Sequence, residues 1–241
     1  MDPSHLQDFT MLEYYCAYWN YEDNMNFTEK LVQQVLQELF GSLEIEIGGE
    51  KVDFSGSWPR LTFRELILSD CGIDIDAHQD ADALRAAINE RGIQLEEVEK
   101  LGRGNLIDQL YKKVSRPKIS RPTFLTRHPI DLSPLARRND DQPELSDRFQ
   151  LVIKGWEVVN AYSELVDPLD QRKRLEDQAG LKAGGDSEAM DMDEDYLLAM
   201  EHGMPPISGW GMGIDRFCAL ITNQPNLRDV VLFPLMRPLD S

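Results

Sequence analysis

The clearest pattern of apolar and polar positions lies in residues 24–41, NMNFTEKLVQQVLQELFG. Apolar side chains recur there every three or four positions, which predicts an amphipathic helix, and Gly41 stands where such a helix commonly ends. The preceding run, residues 9–22, is dense in aromatic and β-forming residues. That composition predicts a buried strand or a strand-to-helix junction.

Two other stretches alternate with the period of a β-strand and turn over two residues. The first, LEIEIGGEKVDF, turns at Gly48-Gly49, and the second, FQLVIKGWEVVNAY, turns at Lys154-Gly155. Both stretches are predicted to be β-hairpins.

The middle of the chain has a different character. Residues 60–120 contain three short amphipathic segments with capping residues, which predict a helical insertion in a domain formed by residues 1–59 and 121–241. Residues 171–190 begin as a charged helix and end in a glycine-rich loop that we expect to be mobile. An apolar helix is predicted from about residue 215. Because helices and strands are mixed without a β-α-β rhythm, the predicted fold class is α+β.

Composition narrows the functional classes. Acidic residues outnumber basic ones, 43 to 25, so the formal net charge is −18 at pH 7. A chain this acidic repels phosphate backbones, which argues against tight non-specific nucleic-acid binding. The three cysteines lack metal-ligand spacing, and we interpret them as reduced structural residues. With no signal-like start and no bilayer-length apolar run, we expect a soluble cytoplasmic protein without a membrane partner.

The stretch GWGMGIDRF, residues 209–217, places three glycines in five positions before an apolar run. Glycines let a strand approach a helix closely and leave space over the backbone where a flat ligand can lie. Arg216 stands in the first turn of the predicted helix, with Asp215 beside it to hold the guanidinium. Such an arginine suits stacking on an aromatic base, with its charge near a phosphate. A tight strand–helix junction with a surface ion pair is the alternative.

The second hairpin offers a candidate cation site. A two-residue turn pairs Val152 with Glu157 and Gln150 with Val159, which makes Gln150 and Glu157 diagonal neighbours roughly 7–8 Å apart on one face. Two oxygen-bearing side chains at that separation can hold Mg²⁺. A solvated hairpin face is the alternative.

Further along the same strand, Asn160, Tyr162 and Glu164 alternate onto one face. Strict alternation would put Glu157 on the opposite face. If all four side chains serve one site, a β-bulge must lie between residues 157 and 160, and we predict one there.

Glu13 and Tyr15 share a face of the first predicted strand. If that strand lies near Glu164, two carboxylates flanked by phenols would surround an ammonium group through charge, hydrogen bonds and cation–π contacts. Spacing alone does not establish that the two strands are neighbours.

Four blocks of the chain share their residues with one enzyme class. SGWGMGIDRF with NLRDVVLFPLMRP is similar to motif 3 of the class II aminoacyl-tRNA synthetases, and SHLQDFTMLEYY resembles the end of motif 2. RPTFLTRHPIDLSPLARRND and VVNAYSELVDPLDQRKR resemble the lysyl branch in particular. The resemblance covers essentially all 241 residues. It implies an antiparallel sheet of six or seven strands flanked by helices, usually in a homodimer.

The resemblance also implies a reaction, in which lysine and ATP form lysyl-adenylate with Mg²⁺ as cofactor and the lysyl group then passes to tRNA. By motif position, Phe9 and Arg216 would cover the two faces of adenine, His5 would contact the phosphates, and Arg216 would reach the γ-phosphate as the catalytic residue. The implied ATP site comprises His5, Phe9, Glu157, Gly211, Gly213 and Arg216. The implied lysine site comprises Glu13, Tyr15, Asn160, Tyr162 and Glu164. The implied metal ligands are Glu157 and Gln150, and Gln150 stands where many relatives have glutamate.

Several segments typical of that family are missing from the sequence. They are motif 1, the motif 2 arginine that binds the amino-acid carboxylate and α-phosphate, the glutamate that holds the α-amine, and the N-terminal domain that reads the anticodon. We therefore expect lysyl-tRNA synthetase chemistry that depends on an N-terminal half, with tRNA contacts largely outside this chain. The alternative is a non-catalytic or repurposed paralog that binds lysine, a nucleotide or a protein partner.

Overall fold

The structure is a computed structural model, and it describes residues 5–96, 98–184 and 189–234. The strands of these residues are β1 (Met11–Ala17), β2 (Glu44–Ile47), β3 (Glu50–Asp53), β4 (Arg60–Thr62), β5 (Thr123–Thr126), β6 (Arg148–Ile153), β7 (Trp156–Ser163) and β8 (Ile207–Gly213). The α-helices are α1 (Tyr21–Phe40), α2 (Phe63–Cys71), α3 (Ala81–Glu90), α4 (Arg103–Val114), α5 (Pro168–Ala183), α6 (Glu194–Glu201) and α7 (Ile214–Ile221).

The main sheet has six strands in the order β1-β8-β7-β6-β5-β4, and β2 and β3 form a separate hairpin. All neighbours in the main sheet are antiparallel except β4 and β5, which are parallel. The α+β prediction is confirmed, but the implied antiparallel sheet contains one parallel pair. Parallel neighbours need a long crossover connection, and α2, α3 and α4 supply it here.

Both predicted hairpin turns are present. Gly48 and Gly49 have φ angles of 62° and 78°, and Lys154 and Gly155 have φ angles of 49° and 77°. Two successive positive φ angles are typical of a type I′ turn, whose twist matches that of the flanking strands. Lys154 adopts the left-handed region without being glycine, and its Nζ donates to Glu50 Oε2 at 2.6 Å.

Strand β1 lies at one edge of the main sheet and is largely exposed, so the prediction of a buried strand over residues 9–22 is wrong. Its aromatic residues favour a strand wherever the strand lies, and composition does not distinguish an edge from a centre. The strand-to-helix junction is present, because α1 begins only four residues after β1 ends. Asn20 caps α1 by accepting from the backbone N–H groups of Glu22 and Asp23.

Helix α1 packs its apolar face on the back of the sheet, as its periodicity predicts. The main core lies between them and includes Met25, Val32, Leu36, Phe149, Leu151, Val159, Ala161, Trp210 and Met212. Helix α7 closes the same face through Phe217 and Leu220. The opposite face of β8, β7 and β1 is therefore left available for a site.

The segment between β4 and β5 builds a second core on the front of the sheet. Helices α2, α3 and α4 bury Phe63, Ile67, Leu84, Ile88, Leu106, Ile107 and Leu110 together with Leu125 and Val152 of the sheet. Because Leu125 and Val152 come from β5 and β6, the helices cover that half of the front face.

Two further sequence predictions concern the ends of the described segments. The charged helix predicted from residue 171 is α5, which begins at Pro168. The glycine-rich loop predicted to be mobile includes residues 185–188, which lie outside the described residues. Within the described ranges, no helix combines the length and apolar character needed to cross a membrane.

A buried polar network ties α1 to the strands beneath the site. Asn24 accepts from the Tyr14 hydroxyl at 2.6 Å and donates to Ser208 Oγ at 2.8 Å. We expect Asn24→Ala to lower the free energy of unfolding by about 2–3 kcal/mol, because it leaves buried polar partners unsatisfied. Urea denaturation measures this loss. Gln34→Ala, which removes an exposed Gln34–Glu38 hydrogen bond of the same helix, should change stability by less than about 0.5 kcal/mol. Equal effects of the two substitutions would contradict the expectation.

Candidate functional site

The front of β8 carries no side chains at the positions where its neighbours carry chemical groups. Gly211 pairs with Glu13 on β1 and with Asn160 on β7. Gly209 pairs with Tyr15 on β1 and with Tyr162 on β7. Directly paired residues place their side chains on the same face of a sheet. The glycines therefore open a space between the groups on β1 and those on β7, two strands that are not themselves neighbours.

Gly209 is required by close approach. A Cβ atom at this position would lie 2.2 Å from Glu164 Oε1 and 2.8 Å from Tyr15 Cε1. Real Cβ atoms do not come that close to other heavy atoms, so any larger residue would displace the carboxylate, the ring or both. The predicted proximity of Glu164 to the first strand is thus present, and it depends on a glycine.

The bulge predicted between residues 157 and 160 is confirmed. Val152 pairs with Glu157 and Leu151 pairs with Val159, so Val158 has no partner in β6. The extra residue brings Glu157 onto the face that carries Asn160. It also makes the predicted pairing of Gln150 with Val159 wrong, because Gln150 pairs with Asn160 instead.

A cavity of about 800 Å³ contains Glu164 and is lined by three tyrosines, Tyr15, Tyr162 and Tyr196. Only 5% of Glu164 is exposed, and its Oε1 has no hydrogen-bond partner within the described part of the chain. Burial raises the pKa of Glu164 to about 8, although the backbone N–H of Gly209 opposes this effect. A buried carboxylate with one unpartnered oxygen favours a cationic ligand, since a positive charge would replace the missing solvation.

The phenols around Glu164 are affected by the same environment. Burial raises the pKa of Tyr162, and the nearby negative charge of Glu164 raises it further. Burial and Glu164 also raise the pKa values of Tyr15 and Tyr196. The three hydroxyl groups therefore stay protonated near neutral pH and can face an ammonium group with neutral aromatic rings.

A smaller cavity of about 300 Å³ lies at the other end of the glycine row. Its lining includes every residue of the implied ATP site: His5, Phe9, Glu157, Gly211, Gly213 and Arg216. Asn160, which was expected in the lysine site, lines this cavity too. Phe9 is 61% exposed, so its ring is free to cover a flat ligand.

The interaction expected between Asp215 and Arg216 is absent among the described residues. Asp215 Oδ2 accepts from the backbone N–H of Thr10 at 2.7 Å, which attaches the start of α7 to β1. Arg216 Nη1 instead donates to the backbone oxygen of Glu157 at 3.1 Å. A backbone acceptor leaves the guanidinium charge uncompensated, which suits an anionic ligand better than an ion pair would.

The proposed metal ligands Gln150 and Glu157 share the front face but offer only two side-chain oxygen donors. No cluster of three or more His, Cys, Asp or Glu residues able to hold a metal occurs in the described ranges. Mg²⁺ is commonly held by one or two protein oxygens together with substrate phosphates. Glu157 lines the smaller cavity, whereas Gln150 is buried and lines neither of the two cavities. Glu157 is therefore the donor that fits Mg²⁺ arriving with a phosphate ligand, and the pair does not form a closed metal cage.

Glu13 occupies a different position from the one expected. Its Oε1 lies 3.8 Å from where a Cβ atom of Gly211 would stand, whereas Glu164 approaches Gly209. These glycines are two residues apart along β8, a separation of about 7 Å. Glu13 thus lies towards the smaller cavity and is exposed, and of these two carboxylates Glu164 is the buried one.

Sequence reasoning missed two residues of the site. Arg148 pairs with Tyr162 in the sheet and donates from Nε to Asn160 Oδ1 at 2.8 Å. The alternation that picked out Gln150 could have found it, because Arg148 is two residues earlier on the same strand. Tyr196 comes from α6, and no local pattern connects that helix to Glu164.

Comparison with known proteins shows the family of the chain. The family described as tRNA synthetases class II (D, K and N) matches residues 1–237. A lysine–tRNA ligase of Pelotomaculum thermopropionicum is 44% identical over 234 residues, which are 97% of this chain and 46% of the relative. A lysine–tRNA ligase of Syntrophomonas wolfei is 44% identical over 238 residues, covering 98% of this chain and 48% of the relative.

A third lysine–tRNA ligase, from an Enterobacter species, is 43% identical over 239 residues, which are 98% of this chain and 46% of the relative. The chain thus spans about half the length of the curated relatives it matches. The family match extends over nearly every residue, and the sheet, glycine row and two cavities lie within it. The chain belongs to the class II tRNA synthetases of the D, K and N family.

Proposed function

We propose that this chain carries the lysine- and ATP-binding part of a lysine–tRNA ligase. The observation that carries the proposal is Glu164, a buried carboxylate with an unpartnered oxygen at the wall of an 800 Å³ cavity lined by phenols. Lysine is the amino acid whose terminal ammonium matches that environment. The named relatives are lysine–tRNA ligases, which supports the same substrate.

Recognition of lysine follows from the charge and shape of this cavity. The ε-ammonium would pair with Glu164 beside the phenols of Tyr15 and Tyr162, and Glu13 would add a weaker attraction from its exposed position towards the smaller cavity. An apolar side chain of similar size would leave the Glu164 carboxylate buried and unpaired. Sites of this kind discriminate by orders of magnitude without a separate editing step.

ATP would occupy the smaller cavity. Phe9 and Arg216 would cover the two faces of adenine, and His5 and Arg216 would contact the phosphates. The carboxylate of lysine would then attack the α-phosphorus, breaking the bond to the β-phosphate and releasing pyrophosphate. The smaller cavity is lined by Gly211, and Glu164 and Tyr15 of the larger cavity approach Gly209 on the same strand. Substrates bound in the two cavities would therefore hold their reacting groups near each other, which lowers the entropic part of the barrier.

Mg²⁺ would be held by Glu157 and would neutralise phosphate charge, and Gln150, which is buried, would have to turn towards the smaller cavity to act as a second ligand. A glutamine oxygen binds this cation more weakly than a carboxylate does. We expect Gln150→Glu to lower the Mg²⁺ concentration for half-maximal ATP binding by about tenfold, since a second negative charge is added. Isothermal titration calorimetry at several Mg²⁺ concentrations measures the shift. Gln142→Glu, an exposed substitution outside both cavities, is the control, and an equal shift there would contradict the role of Gln150.

The complete reaction would need more than the part of the relatives that this chain matches. We propose that residues 60–120 form an insertion in a catalytic domain made of residues 1–59 and 121–241. Transfer of the lysyl group to tRNA, anticodon contacts and homodimer formation would depend on regions that the relatives carry in addition to the part matched here.

Lysine-dependent ATP–pyrophosphate exchange tests the proposal. It should be measured on the 241-residue chain and on the same chain joined to the N-terminal half of the Pelotomaculum ligase, with arginine and ornithine as control substrates. We expect lysine-specific exchange in the fusion and lysine binding by calorimetry in both proteins. Lysine binding without exchange in a folded fusion would favour a binding module instead. The absence of both lysine binding and exchange would refute the proposal.

Lysine affinity should also depend on pH. Because the pKa of Glu164 is raised to about 8, the empty cavity holds a protonated carboxyl below that pH, and lysine must displace the proton. The dissociation constant should therefore fall by up to about tenfold per pH unit between pH 6 and 8 and then level off. Calorimetry in buffers of different ionisation enthalpy measures the released proton. A flat profile over this range, or an unchanged slope in Glu164→Gln, would contradict the expectation.

A further inference from the structure

Arg148 lies on the front face of the sheet, between residues that line the two cavities. It begins β6 and pairs with Tyr162, whose ring lines the larger cavity. Its guanidinium extends to Asn160, two residues before Tyr162 on β7, where Nε donates to Asn160 Oδ1 at 2.8 Å. Asn160 lines the smaller cavity. Arg148 itself is in contact with a residue of each cavity without lining either one.

The guanidinium is fixed on its other side. Arg148 Nη1 donates to the backbone oxygen of Leu132 at 2.7 Å and to Ser133 Oγ at 3.1 Å. Both acceptors belong to the short segment that follows β5. Three hydrogen bonds in a rigid fork leave the side chain little freedom, so the position of Nε is set by the fold before any ligand binds.

This contact determines which way the Asn160 amide faces. An arginine can only donate hydrogen bonds, so the atom of Asn160 that meets Nε must be the oxygen. The amide nitrogen is then the atom left for the cavity, and no acceptor among the described residues takes a hydrogen bond from it. A side chain that could present either an acceptor or a donor is thereby held as a donor.

We propose that Arg148 is a positioning residue that holds Asn160 with its NH₂ group directed at an anionic oxygen of the bound substrates. The inference rests on the proposed function for the identity of that oxygen, which belongs to the lysine carboxylate or the α-phosphate. Negative charge gathers between these two groups as the adenylate forms. A preset donor there contributes without reorganising during the reaction.

The unliganded chain provides the first test. Two-dimensional NMR of the side-chain amides, with the Asn160 signals assigned by their loss in Asn160→Asp, reports the state of this amide directly. We expect Arg148→Met to shift and broaden the Asn160 signals, because the amide can then rotate, and Arg148→Lys to restore them in part. Arg138→Met, which removes an arginine bonded to Asp170 and Pro143 elsewhere, is the matched control and should leave them unchanged.

Binding of a non-hydrolysable lysyl-adenylate analogue provides the second test. We expect Arg148→Met to weaken binding about tenfold, the loss of one well-placed hydrogen bond. Asn160→Asp should weaken it at least as much, and the double variant should be no weaker than Asn160→Asp alone. In exchange assays, Arg148→Met should lower kcat more than it raises the KM for ATP.

The outcomes separate the two proposals. Unchanged Asn160 signals and unchanged analogue binding in a folded Arg148→Met protein would overturn the inference. Additive losses in the double variant would also overturn it, because the two residues would then act independently. If the wild-type chain binds no analogue while Arg148→Met still frees the Asn160 amide, the positioning contact stands and the proposed function fails.

Discussion

Replacing Glu164 with glutamine is expected to weaken lysine binding about a hundredfold at pH 8. The substitution keeps the shape of the side chain but removes the charge that would pair with the ammonium. Losing one partner of a buried charge pair costs about 2–5 kcal/mol, and each 1.4 kcal/mol is about tenfold in affinity. Calorimetric titration of lysine into the two proteins measures the difference.

Glu13, whose carboxylate is exposed, offers a matched control for the effect of Glu164→Gln on lysine binding. Glu13→Gln removes the same charge from the same face, but Glu13 is open to solvent, so the loss should be less than about tenfold. A larger effect at Glu13 than at Glu164 would reverse the assignment of the buried carboxylate as the principal contact. An unchanged lysine affinity in Glu164→Gln would refute it.

Glu164→Gln should also change the stability of the empty protein in a definite direction. The pKa of Glu164 is raised from 4.5 to about 8 in the folded state. Stability is therefore lost as the pH rises from the unfolded value towards the folded one, since only the unfolded chain ionises freely. The variant lacks this loss and should melt at a higher temperature than the wild type at pH 8–9. The difference should vanish near pH 4.

Replacing Gly209 with alanine is expected to reduce lysine affinity by about ten- to a hundredfold while the fold persists. The added methyl group would stand 2.2 Å from Glu164 Oε1 and 2.8 Å from Tyr15 Cε1, so both groups must move away from their places in the cavity. Tyr15 is 64% exposed and can move at little cost to the core. A displacement of about 1 Å in a binding group is enough for losses of this size.

Gly211→Ala provides the comparison on the same strand. Its methyl group would meet Met11 Cε at 3.2 Å, beside the smaller cavity, and it lies 3.8 Å from Glu13. We expect this variant to raise the Kd for ATP and to change the Kd for lysine by less than about threefold. Calorimetry with each ligand separates the two cases. The same ligand preference in both variants would contradict the division of the front face into two cavities.

Local patterns in the sequence predicted much of the front face. The glycine spacing of β8 indicated an open surface, and Glu157 could share one site with Asn160 only if a bulge lay between them, which the structure places at Val158. Both inferences depend only on side-chain alternation, which is a property of the strand itself.

Long-range features could not be predicted in this way. The exposure of β1 depends on which strand lies beside it, and the parallel pairing of β4 with β5 depends on how the helices between these two strands cross the sheet. The bond from Thr10 to Asp215 joins positions 205 residues apart. Tyr196 approaches Glu164 only through the packing of α6, and the sequence of that helix contains no pattern that predicts this proximity.

The alternation along β8 has a consequence for how substrate preference can change. Its front positions are glycines, whereas Ser208, Trp210 and Met212 between them are buried at the back against α1. Variation on the neighbouring strands at the front would therefore change the cavities and would leave the core at the back intact. Substitutions opposite the glycines could change which amino acid the protein accepts. Folding would be constrained separately, because it depends on the other face of the same strand.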